Sequence, residues 1–95
     1  MNIKDLHQEI KGISTASLFK TTEGNVISVQ ILADEQLKEH ITKEPALLLC
    51  LSGESIFENE IGMKLTLTTG DYVNIEPNIK HWITAKSTSN FILIK

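Results

Sequence analysis

Apolar and polar residues alternate along most of this chain. From residue 14 to the end they do so with period two in short runs, and each run is closed by a turn signal. That is the pattern of half-buried strands. Thirteen isoleucines and nine threonines reinforce it, because β-branched side chains fit a pleated surface better than a helix. The spacing predicts strands over 14–20 and 25–32, joined at Glu23-Gly24-Asn25, with Ile27, Val29 and Ile31 on one face. A charged connection over 34–39 follows, then extended backbone over 40–42, interrupted at Pro45. Residues 46–51 are apolar at every position, as in a strand covered on both faces. Further strands are expected over 55–58, 64–68, 72–75, 81–85 and 91–95, with turns at Ser52-Gly53-Glu54, Asn59-Glu60-Ile61-Gly62, Thr69-Gly70-Asp71 and Pro77-Asn78. The one exception lies at the start, where Asn2 is placed to cap a short helix over 3–10 with Ile3, Leu6 and Ile10 on one side. The expected fold class is all-β, a sandwich or barrel with a short N-terminal helix.

Composition narrows the function classes. A chain of 95 residues allows one domain, 1–95, and a domain of this size buries only about 60–65% of its unfolded surface, so a second chain is a natural contributor to burial. Its single cysteine, Cys50, excludes an internal disulfide. All nine basic residues are lysines, scattered along a chain of net charge −3, so nucleic acid is not an expected partner. No apolar run approaches the length of a membrane span and the first residues do not read as a signal peptide, so no membrane partner and a cytoplasmic location are expected.

Few residues carry site chemistry: His7, His40, Thr42, Glu44, Cys50 and His81. In extended backbone His40, Thr42 and Ala46 share one face, and His81 and Ile83 share a face of a later strand. Two histidines on neighbouring strands bring two imidazoles to one ion, at about 2.0–2.1 Å. Glu44 has the parity of His40 and would complete a two-histidine, one-carboxylate face of the kind that holds non-haem iron. Cys50 has the parity of Ala46 and Leu48, and its ordinary role would be that of a small buried hydrophobe. His7 is expected on the surface, and Trp82, opposite in parity to His81, outside the cavity. Leu47, Leu49 and Leu51 form the other face of the apolar strand, which the second sheet, the N-terminal segment or a partner chain must cover.

Two of these clusters resemble the motifs of the cupin superfamily. The first motif runs glycine, five residues, His-x-His, three or four residues, glutamate, six residues, glycine; here Asp34, His40-Ile41-Thr42, Ala46 and Gly53 fall in that register. The second runs glycine, five residues, Pro-x-Gly-x-x-His, three residues, asparagine; here Gly70, Glu76, Asn78, His81 and Ala85 stand at those places. The resemblance spans roughly residues 27–95 and implies a double-stranded β-helix, or jelly-roll, barrel that dimerises. It further implies a cavity lined by His40, Thr42, Ala46, Leu48, Cys50, His81 and Ile83 that takes a small molecule. The family's metal shell of three histidines and a glutamate is represented by His40 and His81, with Thr42 and Ala46 at the other two places. A divalent ion held there, iron, manganese, nickel or zinc, would support metal-assisted oxidation or isomerisation. The expected function is small-molecule binding in the cavity, with or without a weakly held metal. A metal-dependent enzyme of that kind, using His40 and His81, is the first alternative, and a ligand-sensing or structural dimer without catalysis the second.

Overall fold

The computed structural model describes residues 1–95. Nine strands follow a single turn of 3-10 helix, Ile3–Leu6. The strands are β1 (Ile13–Lys20), β2 (Asn25–Ile31), β3 (Gln36–His40), β4 (Ala46–Ser52), β5 (Ser55–Asn59), β6 (Lys64–Leu67), β7 (Tyr72–Ile75), β8 (His81–Ala85) and β9 (Ser89–Ile94). They form a five-stranded sheet in the order β1-β2-β9-β4-β7 and a four-stranded sheet in the order β3-β8-β5-β6, antiparallel throughout. The two sheets face each other over one apolar core. Val29 and Ile31 of β2, Leu48 and Cys50 of β4, Val73 and Ile75 of β7 and Phe91 of β9 point inward from the larger sheet, and Phe57, Leu67, Ile83 and Ala85 meet them from the smaller. Each contributes at every second position, which is the period-two pattern of the sequence made spatial.

Two expectations require correction. The helix predicted over 3–10 is only the turn Ile3–Leu6, although Asn2 does cap it, its Oδ1 accepting from the Lys4 N–H. The backbone leaves helical geometry at His7 because that side chain is held elsewhere, and Leu6 and Ile10 find no core and remain exposed. The charged stretch over 34–39 contains strand β3 rather than a connection alone. As an outer strand of its sheet it has one hydrogen-bonding edge facing solvent, where charged side chains discourage pairing with other chains. Charge therefore concealed a strand that the rest of the fold requires.

The four positions at which the two motifs carry glycine all adopt left-handed backbone here. Gly53 (φ +86) and Gly70 (φ +89) do so as glycines, and Asp34 (φ 67) and Asn78 (φ 64) do so as the two side chains that best tolerate that region. At Gly53 the requirement is absolute in space as well, since a Cβ would lie 2.3 Å from the Thr88 carbonyl oxygen. No helix in the chain is long and apolar enough to cross a membrane.

Candidate functional site

His81 opens β8, and its inward parity with Ile83 and Ala85 leaves it only 2% exposed. Directly across the β3–β8 pair stands His40, at the end of β3. The pairing is irregular between Leu37 and His40, and this irregularity in the edge strand brings both residues to the inner face although they are three apart in sequence. The two imidazoles meet edge to face with ring centroids 4.1 Å apart, and Phe57 stacks on His81 at 5.6 Å.

Thr42 arrives by a different route. Strand β3 has ended, and the loop 41–45 is tied to the turn before β8 by the Asn78 N–H, which donates to the Thr42 carbonyl at 2.8 Å. The left-handed Asn78 thus fixes both the loop that carries Thr42 and the entry to His81. Thr42 Oγ1 is buried and is the one buried side-chain oxygen or nitrogen without a hydrogen-bond partner.

Together these residues line a cavity of about 380 Å³. Its walls are apolar: Val29, Leu37, Ile41, Leu48, Ile75, Ile83 and Leu93. Its polar lining is His40, Thr42 and His81, with the exposed Lys43, Glu44 and Lys95. Of the residues singled out from the sequence, His40, Thr42, Glu44, Leu48, His81 and Ile83 reach this cavity. Ala46 and Cys50 do not: both are inward-facing members of the packed core. The Cys50 thiol lies towards the Ser52 carbonyl at 3.4 Å, and burial, with the negative charge of Asp71, pushes its pKa up, so it stays a neutral thiol. Val29, Leu37, Ile41, Lys43, Ile75, Leu93 and Lys95 line the cavity as well, and none of them is among the cavity residues expected from the sequence. The parity of β9 was enough to indicate Leu93, whereas Leu37 depended on recognising the charged edge strand.

Protonation at the pair follows from its partners. His40 Nδ1 lies 3.1 Å from the Lys38 carbonyl and His81 Nδ1 lies 3.3 Å from the Ile79 carbonyl. A carbonyl only accepts, so each Nδ1 carries the proton. Burial holds the pKa of His81 below its ordinary value of 6.5, and the adjacent His40 pushes it the same way.

The donors present do not fit a resident divalent ion. No three histidine, cysteine, aspartate or glutamate side chains converge anywhere in the chain. The face expected of His40, Glu44 and His81 is not assembled, because β3 stops at His40 and Glu44 then sits in an exposed loop without strand parity. Thr42 offers a neutral hydroxyl, and two imidazoles alone make an incomplete shell.

The third histidine overturns an expectation outright. His7 is buried, not on the surface. Its Nδ1 meets Ser14 Oγ at 2.7 Å and its Nε2 meets Ser28 Oγ at 2.8 Å, which pins the N-terminal segment to the outer face of the larger sheet. Burial lowers its pKa. No local pattern in the sequence announces these contacts, which join His7 to Ser14, seven residues on, and to Ser28, twenty-one residues on. Trp82 lies on the outer face of the smaller sheet, where Nε1 donates to Glu58 Oε2.

No family model and no curated protein sequence matches the chain. Solved structures do. A cupin superfamily protein from Desulfitobacterium hafniense is 18% identical over 92% of this chain and 81% of its own, with a TM-score of 0.81. A cupin-2 domain containing protein from Shewanella frigidimarina is 14% identical over 100% of this chain and 92% of its own, with a TM-score of 0.82. A cupin-like protein from Thermotoga maritima is 20% identical over 87% of this chain and 67% of its own, with a TM-score of 0.79. Two facing antiparallel sheets and the overall superposition agree: the fold of this chain is the small cupin jelly-roll barrel.

Proposed function

We propose that this chain is a binding module for a small, largely apolar molecule with one polar group, taken into the cavity between the sheets. The observation that carries this reading is the apolar-walled cavity itself, lined by the His40–His81 pair and by Thr42, whose buried Oγ1 has no partner in the chain. A buried hydroxyl left unpaired costs about 1–3 kcal/mol, a loss that is recovered when the Thr42 side chain turns to meet a ligand's polar group. The apolar walls supply the rest of the affinity, as in most small-molecule sites. The test is thermal denaturation against a set of small hydroxylated and aromatic compounds. Those that raise the midpoint of the native chain should lose most of that effect in Thr42→Val and His81→Leu. Equal stabilisation of all three proteins would remove the reading.

We further infer that the module works as a homodimer through the outer face of its larger sheet. Two rows run across that face: Phe19, Val26, Ile94 and Leu47, and beside it Ile92, Leu49 and Tyr72. Neither row carries a charge, and Phe19 and Tyr72 are 63% and 61% exposed. The chain exposes 6025 Å², against about 5,500 Å² for a typical monomer of its mass. Two such faces pack at about 10 Å, like the sheets of a sandwich. Light scattering should give a dimer for the native chain and a monomer for Leu49→Glu; a native monomer at micromolar concentration contradicts the inference.

A further inference from the structure

We infer that the polar group selected by the cavity is a hydrogen-bond donor, a neutral hydroxyl or N–H, rather than a carboxylate or a bare carbonyl. The inference rests on the cavity being a small-molecule site and concerns which chemistry that site prefers.

The basis is a count of donors and acceptors. The carbonyls of Lys38 and Ile79 lie against Nδ1 of His40 and His81, at 3.1 Å and 3.3 Å. Each ring therefore spends its single proton on its own backbone, and Nε2 is left as a lone-pair acceptor. Neither Nε2 is engaged by a protein donor, whereas both nitrogens of His7 elsewhere in the chain are taken. The third polar group, Thr42 Oγ1, is a hydroxyl that both donates and accepts. The cavity thus offers two obligate acceptors, one ambivalent group and apolar walls.

A carboxylate placed there would face two nitrogen lone pairs with only the Thr42 hydroxyl to donate to it. A carbonyl would satisfy Thr42 and leave both imidazoles unmatched. A hydroxyl donates to an imidazole Nε2 and accepts from Thr42, which satisfies both kinds of group at once. Lys43 and Lys95 do favour an anion, but both side chains are solvated, where charge is screened. The strong rejection expected of a site with buried polar groups comes from leaving those groups unpaired, and here the buried ring is that of His81, whose free nitrogen is an acceptor, while His40 is exposed.

The test uses three probes of one size: phenol, which donates; anisole, which only accepts; and benzoate, which is anionic. Each is titrated into the intact chain at pH 8, above the ordinary imidazole range, and binding is read from backbone amide shifts and from imidazole ¹⁵N shifts. Before any probe is added, the ¹⁵N spectra should show His40 and His81 protonated at Nδ1. Phenol should shift both Nε2 signals and bind at least tenfold tighter than anisole or benzoate. Thr42→Val, which keeps the shape of the side chain, should weaken phenol and anisole alike and preserve the preference, whereas His81→Leu, which removes a lone-pair acceptor, should bring the two within about threefold of each other. Anisole or benzoate binding as tightly as phenol, or rings protonated at Nε2, overturns the inference while leaving the cavity a ligand site. Absence of shifts at cavity-lining residues with all three probes overturns the cavity reading itself.

Discussion

The imidazole of His40 meets that of His81 edge to face, at a centroid distance of 4.1 Å, on residues that pair directly across β3 and β8. The contact is made from one buried and one exposed side chain, so the pair joins the core to the cavity. Each ring is oriented by a carbonyl two residues before it, Lys38 for one and Ile79 for the other. The same local device, repeated on two strands, orients both rings through Nδ1.

Elemental analysis checks the conclusion about the donor set. Protein purified without chelator should hold well below one divalent ion per chain, even after incubation with manganese, iron, nickel or zinc. Near-stoichiometric metal that disappears in both His40→Ala and His81→Ala would show that two imidazoles suffice.

Stability should fall with acid in a defined window. His7 and His81 both have folded-state pKa values below the ordinary 6.5, chiefly from burial. The unfolded chain therefore takes up protons first, and the stability associated with these groups is fully present above about pH 6.5 and lost as pH falls through their lowered folded values. Asp71, whose carboxylate accepts from the Thr68 N–H and hydroxyl, is lowered from 3.8 and gives up its contribution only in stronger acid. Melting temperature between pH 7.5 and 4.5 should decline in the native chain and less steeply in His7→Gln. Parallel curves would assign the decline to other groups.

The His7 contacts predict a coupling. His7→Ala leaves Ser28 Oγ, fully buried, without its partner, and should cost about 1–3 kcal/mol in urea denaturation. Ser28→Ala added to it should cost less than its own single effect, with a coupling of about 1 kcal/mol. Strict additivity would mean that the histidine contributes by packing alone.

Much of the fold was legible because period-two alternation dictates it. Strands β7 and β8 have the bounds read from the sequence, Tyr72–Ile75 and His81–Ala85, where inward and outward residues differ sharply in burial. Strand β3 was hidden, since an edge strand has little apolar surface to display: only Leu37 of its five residues is even half-buried. At the site, His40 and His81 meet because β3 pairs with β8 and the irregularity before His40 turns it inward, whereas parity counted onward from His40 misplaced Glu44, because it has no meaning once the strand ends. The left-handed Asp34 and Asn78 show why the motif register survives without its glycines: the backbone conformation is retained, and the residue type changes within what that conformation allows. His7 was beyond reach, since nothing near it in the chain indicates two serines on neighbouring strands.

Two glycines in the same backbone region should respond unequally. Gly70 has open space where a Cβ would go, so Gly70→Ala should cost only the left-handed strain, about 1–2 kcal/mol. Gly53→Ala adds a collision with the Thr88 carbonyl and Ser89, and should cost about 1–3 kcal/mol more. Equal losses in chemical denaturation would show that the β4–β5 turn relaxes freely.

The binding reading stands most directly on where a small molecule docks. A phenol-containing fragment mixture titrated into isotopically labelled chain, followed by amide and methyl shifts, locates the site whatever the natural ligand is. The expected changes are concentrated at Leu37, Thr42, Ile83 and Leu93, and are lost in His81→Leu. Changes confined to Phe19, Leu49 and Tyr72 on the outer face, or persisting in His81→Leu, would contradict it.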